Sequence, residues 1–243
     1  LWRRGREMRV YDCDTAPSPK LVRKFIAAKG VEIETVSVDL RAGQHLSDAF
    51  TKLNPLCAVP VLELADGEAL LSTQACWRYL EETCPSPPLL GTTAHEKAII
   101  ADRLWYLDVQ GWQAATEGLR NSIKGFENRA LTGPHDYAQI PELGDRGKIR
   151  TRRALDYIEN LLSENDFIAG DKFSAADIFA DVLIEFARWI KIAPPAEAKG
   201  IKAWQRRIGD SYEDEEEGES ESTSRSKEES DTSAMTQIVN LTK

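Results

Sequence analysis

The stretch Val59-Pro60-Val61-Leu62-Glu63-Leu64 constrains the fold more than any other in the chain. Proline lacks an N–H and fixes its own φ, so it sits at the first residue of a strand and not in the middle of one. An X–Pro bond is also the peptide linkage for which the cis form is readily accessible. Val59–Pro60 is therefore a candidate cis bond; such a bond turns the Val59 backbone sideways and leaves its N–H and C=O for an extended peptide ligand. Upstream, Asn54-Pro55 ends a short helix that carries Leu46, Ala49, Phe50 and Leu53. Downstream, Asp66-Gly67 supplies the turn of a hairpin between strands expected at 59–64 and 68–71. A helix then runs from Thr73 to about Cys84, with Ala75, Cys76, Tyr79 and Leu80 on one face.

Residues 8–13 read as a first strand. After Pro17-Ser18-Pro19, the apolar positions Leu21, Val22, Phe25 and Ile26 and the Lys29-Gly30 stop define a helix. Ser18 is its expected N-cap and Pro19 its first helical residue. Val31 to Leu40, rich in β-branched side chains, is a second strand. The order βαβαββα over residues 8–84 is the thioredoxin-like arrangement, an α/β fold. Pro85-Ser86-Pro87-Pro88 opens a stiff linker, 85–92, and an all-α domain is expected over 93–210. Thr93 and Glu96 have capping-box spacing ahead of Ile99, Ile100, Leu104 and Leu107. A loop rich in Gly, Pro and Tyr precedes a helix over roughly 146–164. Ser174 and Asp177, again spaced as a capping box, open a strongly apolar helix reaching about Ile192, and a short helix follows near 198–208.

The net charge of −9 is concentrated at one end. Residues 211–243 hold ten acidic and three basic side chains and little to bury, the composition of a disordered acidic tail. The remainder is nearly neutral and offers no basic face to nucleic acid. No run approaches the roughly 20 apolar residues of a membrane span. Met8 reads as the natural start, and the residues ahead of it lack the apolar core of a signal peptide, so a cytoplasmic protein is expected. Cys13, Cys57, Cys76 and Cys84 form no CxxC pair and are expected as free thiols. Histidines at 45, 95 and 135 are too scattered for a metal site, and none is expected.

Two blocks stand out together: the Asn54 to Glu82 stretch, and Ala-Gly-Asp-Lys-Phe-Ser-Ala-Ala-Asp-Ile at 169–178. On these, the chain resembles the cytosolic glutathione S-transferases over residues 8 to about 208, with a theta- or zeta-like N-terminal pattern. The resemblance implies a glutathione-binding N-terminal domain and an all-helical C-terminal domain. It also implies glutathione as co-substrate, a small electrophile as partner, a detoxifying conjugation and a homodimer. The chemistry requires a thiolate near neutral pH from a thiol whose ordinary pKa is about 8.5. A helix N-terminus favours that anion, and a hydroxyl adds a charge-assisted hydrogen bond.

By the resemblance, Ser18 is the candidate catalytic residue and Thr15 a weaker hydroxyl alternative. Ala16 falls where theta- and zeta-type members keep a serine and omega-type members a cysteine. His45 corresponds to a histidine that holds the glycine carboxylate of glutathione, and Val59 with Pro60 supplies the main-chain contact. Ser72 and Thr73 occupy the site for the γ-glutamyl group. Ser72 replaces a carboxylate and Ala58 a common lysine, which implies weakened binding. Trp105, Tyr106, Trp112 and Arg120 are candidates for the electrophile pocket, expected between the first helix and the long helix beginning at Thr93. Trp77 and Arg78 are candidates for the dimer contact, while Ser174 and Asp177 are structural. Two other readings compete: a non-catalytic interaction or ligand-binding module of the same fold, and a glutathione-dependent thiol reductase using Cys13.

Overall fold

A computed structural model of the chain describes residues 8–213, with side chains through residue 209. Most of the expected acidic tail lies outside the described residues. The chain divides into two compact units: one comprises the residues up to Thr92 together with Leu131–Asp136, the other Thr93–Ala130 and the residues from Tyr137 on.

The first unit is built on four strands, β1 (Arg9–Asp12), β2 (Glu34–Ser37), β3 (Val61–Glu63) and β4 (Ala69–Leu70), in the order β2-β1-β3-β4. β1 runs parallel to β2 and antiparallel to β3, and β3 is antiparallel to β4. Asp66-Gly67 makes the β3–β4 turn: Gly67 takes a φ of 92°, and Asp66 Oδ1 accepts from Glu68 N. Alternation along β1 and β3 divides their side chains between two faces. Tyr11 and Val61 pair on one, where Val61 joins Val38 and Phe50 of α2 (Asp48–Leu53) and Tyr11 meets the Phe50 ring edge-on. Val10 and Leu62 pair on the other, the face left for α1 (Pro17–Ala28) and α3 (Thr73–Thr83).

Trp77 is buried between these two helices, stacked on Phe25 at 5.1 Å and donating its indole N–H to Leu21 O. That position removes it from any dimer contact, because helical spacing turns residues 76, 77, 80 and 81 inward together, one position around from the expected face. Arg78 stays exposed and pairs with Glu82. The C-terminal end of α1 is tied to the linker by a buried ion pair. Lys29 Nζ meets Glu81 Oε2 at 2.5 Å and donates to Pro87 O, while Glu81 accepts from the N–H groups of Leu89 and Leu90.

In the second unit, α4 (Ala94–Tyr106) opens with the Thr93–Glu96 capping box and passes through a π-helical turn, Leu107–Trp112, into α5 (Gln113–Arg120). Arg150 on α6 (Pro141–Glu164) donates to the Val109 carbonyl at 2.6 Å within this wider turn, and to Glu117. Helix α6 starts earlier than its apolar periodicity suggests, because Pro141 serves as a first-turn residue. It packs tightly on α5: a Cβ at Gly147 would lie 2.5 Å from the Gly118 N. Helix α7 (Ala175–Arg188) forms the centre of the unit, with nearly every side chain buried. Helix α8 (Lys199–Glu213) seats the fully buried Trp204. Its backbone reaches Glu213, so the helix takes in the first residues of the segment expected as tail.

Candidate functional site

The connection rule of this sheet gathers the loops of interest. The C-terminal end of β1 leads into α1, and the parallel β2 ends on the same side before the 44–46 turn. Antiparallel pairing brings the start of β3 to that side, and a second reversal brings the end of β4 there too. Four segments therefore meet at one end of the sheet: the α1 start, the His45 turn, Val59-Pro60 and the α3 start.

At the α1 start, the turn after β1 closes with Ala16 N donating to Cys13 O at 2.9 Å. Ala16, not Ser18, is the N-cap: it is extended at φ −93° and ψ 136°, and Pro17 takes the first helical position. The residue before a proline is pushed away from the helical region, which places the boundary one proline earlier than expected. A helix start offers four orphan donors. Here Ala16 N–H is engaged, and Pro17 and Pro19 have none. Ser18 N–H remains; among the described residues it has no partner, and the half-buried Ser18 hydroxyl sits on the same residue. Cys13 is buried, with its Sγ 3.4 Å from Thr15 Oγ1.

Val59 is shaped by an asparagine that the sequence shows only as a helix stop. Asn54 is fully buried, donates to Ala58 O at 2.7 Å and accepts from Leu56 N at 2.9 Å. Cys57, in the left-handed region at φ 50°, completes the turn. The Val59–Pro60 bond is cis. Val59 is half-buried, and among the described residues no hydrogen bond reaches its N–H or C=O.

At the α3 start, Ser72 is the N-cap, accepting from Ala75 N, and Thr73 is the first helical residue. His45 is buried, held on a short 3-10 turn entered through Gly43 at φ 72°.

The four candidates in the helical unit face different neighbours. Trp105 is 59% exposed on the outer face of α4. Tyr106 stacks on Tyr157 of α6 at 3.8 Å, and burial followed by the neighbouring Tyr157 raises its pKa. Trp112 packs against Phe179 and Phe186 of α7. Arg120 donates to Arg129 O and lies over the Phe126 ring, and burial, then Arg129, brings its pKa down to about 10. Ser174 and Asp177 form the capping box of α7: Asp177 accepts from Ser174 N, Ser174 Oγ, Ile168 N and Trp204 Nε1. The thiol of Cys76 is pushed up to about 12 by burial, which marks it as inert. Among the described residues no cluster of His, Cys, Asp and Glu could hold a metal ion, and no helix is long and apolar enough to cross a membrane.

Residues 6–82 match the model of the glutathione S-transferase N-terminal domain, and residues 136–210 that of the C-terminal domain. Glutathione S-transferase 2 of Saccharomyces cerevisiae is 29% identical over 211 residues, covering 83% of this chain and 85% of the relative. A maleylacetoacetate isomerase of Pseudomonas aeruginosa is 34% identical, covering 71% of this chain and 77% of its own length. Among solved structures, a glutathione S-transferase domain-containing protein of Marinobacter aquaeolei superposes with a TM-score of 0.76 at 30% identity, covering 83% of this chain and 97% of that one.

Proposed function

Since the chain belongs to the cytosolic glutathione S-transferase superfamily, we propose that it binds glutathione at the shared end of its sheet and adds the thiolate to a small electrophile. The observation that carries this reading is the unpaired Val59 backbone, flanked by the α1 and α3 starts. The cysteinyl unit of glutathione pairs with the Val59 N–H and C=O. Its γ-glutamyl carboxylate lies at the first turn of α3, near Ser72 and Thr73, and its glycine carboxylate faces His45. Ser18 donates its N–H and hydroxyl to the thiolate, so the enzyme contributes an anion-stabilising field and proximity rather than a covalent intermediate. Ala94, Ala98, Ala101 and Trp105 share the exposed face of α4 at helical spacing and are assigned to a homodimer contact.

The test is retention of the protein on immobilised glutathione, elution with the free tripeptide, and turnover of a chlorodinitrobenzene-type substrate. Binding without turnover would favour the non-catalytic module. Ser18→Ala removes one charge-assisted donor while keeping the N–H, and is expected to lower kcat about ten- to a hundredfold with a small effect on glutathione affinity. Unchanged kcat would remove Ser18 from the chemistry. The Ser72 hydroxyl serves as an N-cap and brings no negative charge to the glutathione ammonium group. Losing that contact costs about 1.5–3 kcal/mol, so calorimetry should give a Kd weaker than about 10 µM. A tighter value contradicts the assignment of Ser72.

The similarity to an isomerase defines a second outcome. Reversible addition of the same thiolate to an activated double bond gives isomerisation instead of a stable conjugate. Product analysis with a cis-configured, doubly activated alkene separates the two.

A further inference from the structure

A helix start is ordinarily fixed by the side chain of its N-cap. Helix α1 has no such cap, since Ala16 carries no polar side chain, and Pro17 and Pro19 offer no N–H to hold. The turn that delivers Ser18 is anchored instead from further along the helix, by Arg23. Its Nη1 donates to both carboxylate oxygens of Asp12 (2.5 and 2.6 Å) and approaches Cys13 O at 3.4 Å, while Nη2 donates to Asp14 O at 3.1 Å. The Asp12 side chain is only 6% exposed, at the end of β1. Cys13 O therefore receives both Ala16 N–H and the guanidinium.

We propose that Arg23 is a positioning residue for the thiolate chemistry assigned to Ser18; this rests on the glutathione reading of the α1 start. The guanidinium is a planar, rigid fork, so one group fixes the end of β1, the turn and the α1 axis relative to one another. Lysine keeps a positive charge for Asp12, but a single nitrogen cannot also reach the two carbonyls. The turn then relaxes, and the Ser18 N–H and hydroxyl shift away from the sulfur. The binding groups at Val59, His45 and α3 lie on other segments and stay in place. Misplacing donors by a fraction of an ångström affects the reacting atom far more than the rest of a bound ligand.

The test uses Arg23→Lys in the full chain, with binding and activation measured separately. S-methylglutathione, whose sulfur cannot ionise, reports binding by calorimetry. The pH dependence of the ultraviolet thiolate absorbance of bound glutathione reports activation. The variant is expected to bind S-methylglutathione within about twofold of wild type, while kcat at saturating glutathione falls about tenfold and the thiol pKa of bound glutathione rises. An unaltered thiol pKa and kcat overturn the inference. A parallel loss of S-methylglutathione affinity and kcat also overturns it, by showing general damage. A wild-type protein that binds neither compound removes the glutathione reading and this inference with it. In the wild-type protein, the Arg23 guanidinium should give separate, slowly exchanging Nη resonances by NMR. Averaged resonances overturn the clamp without recourse to any variant.

Discussion

Asp177→Ala is expected to destabilise the protein by about 4 kcal/mol or more, because buried donors left without an acceptor lose about 1–3 kcal/mol each. Asp177 is fully buried and accepts from four of them: the backbone N–H groups of Ile168 and Ser174, the Ser174 hydroxyl and the Trp204 indole. These donors belong to the segment before α7, the α7 cap and α8, so one carboxylate joins three parts of the helical unit. The expected readout is a fall in melting temperature of roughly 10 °C, taking about 2–4 °C per kcal/mol for a chain of this size. Glutathione binding by the surviving folded fraction should be unaffected. A melting temperature within a degree or two of wild type would show that the network contributes little.

Asp177 also sets a pH dependence. Burial is the largest influence on its carboxyl and outweighs the four hydrogen bonds, raising the pKa from 3.8 to about 6. The folded state thus binds the proton more tightly than the unfolded chain does. The stability this contributes is fully present below the unfolded value and is lost as pH rises through about 6. Asp177→Asn removes the titration while retaining an acceptor oxygen. The stability difference between wild type and Asp177→Asn, measured by urea denaturation, is expected to shift in favour of wild type as pH falls from 7 to 5. A shift in the opposite direction would mean that the four donors hold the carboxyl below its ordinary value.

Lys29→Met is the second large effect, expected at about 3–5 kcal/mol, because removing one member of a buried ion pair strands the other. Lys29 Nζ is fully inaccessible and Glu81 nearly so, and Glu81 also accepts from Leu89 and Leu90 in the linker. Without the cation, the Glu81 carboxylate is left buried and uncompensated in the core beside Phe25 and Trp77. Combining Glu81→Gln with Lys29→Met removes the stranded charge and keeps an oxygen for the linker amides. The double variant should therefore recover more than half of the loss. Urea midpoints of wild type and the two variants check this, and a double variant no better than Lys29→Met refutes the explanation.

The two units differ in how much of them the sequence disclosed. The strands and helices of the first were readable because prolines, Asp66-Gly67 and alternating apolar residues mark local boundaries, and local φ restrictions act without tertiary help. The capping boxes at Thr93 and Ser174 were legible for the same reason, whereas proline marks a bond only as a candidate for cis: Val59–Pro60 is cis, and so is Ser86–Pro87, which the sequence does not single out. The α1 cap was displaced because two closely spaced prolines leave two admissible starts, and Ala16 prevails as the residue ahead of the first. Trp77 turns inward although apolar spacing leaves it at the edge of the buried face, because such spacing gives a face only to within about one residue, while its stacking on Phe25 depends on where α1 lies. The π-helical turn at 107–112 leaves no compositional trace, and its support, Arg150, comes from α6. Asn54 looked like a helix stop and proves to organise the turn ahead of Val59.

By itself, the sequence determined the order of strands and helices over residues 8–84, the helices opened by the capping boxes at Thr93 and Ser174, the family, and the residue types available at the sheet end. Those properties follow from local sterics and from patterns a few residues long. Tertiary structure decided which of these residues share a site, since that follows from the order and direction of β1 to β4. It also decided which polar side chains became organisers: Arg23, Lys29, Asn54 and Asp177 acquire their roles only when burial removes water and leaves carbonyls, amides and carboxylates as their partners.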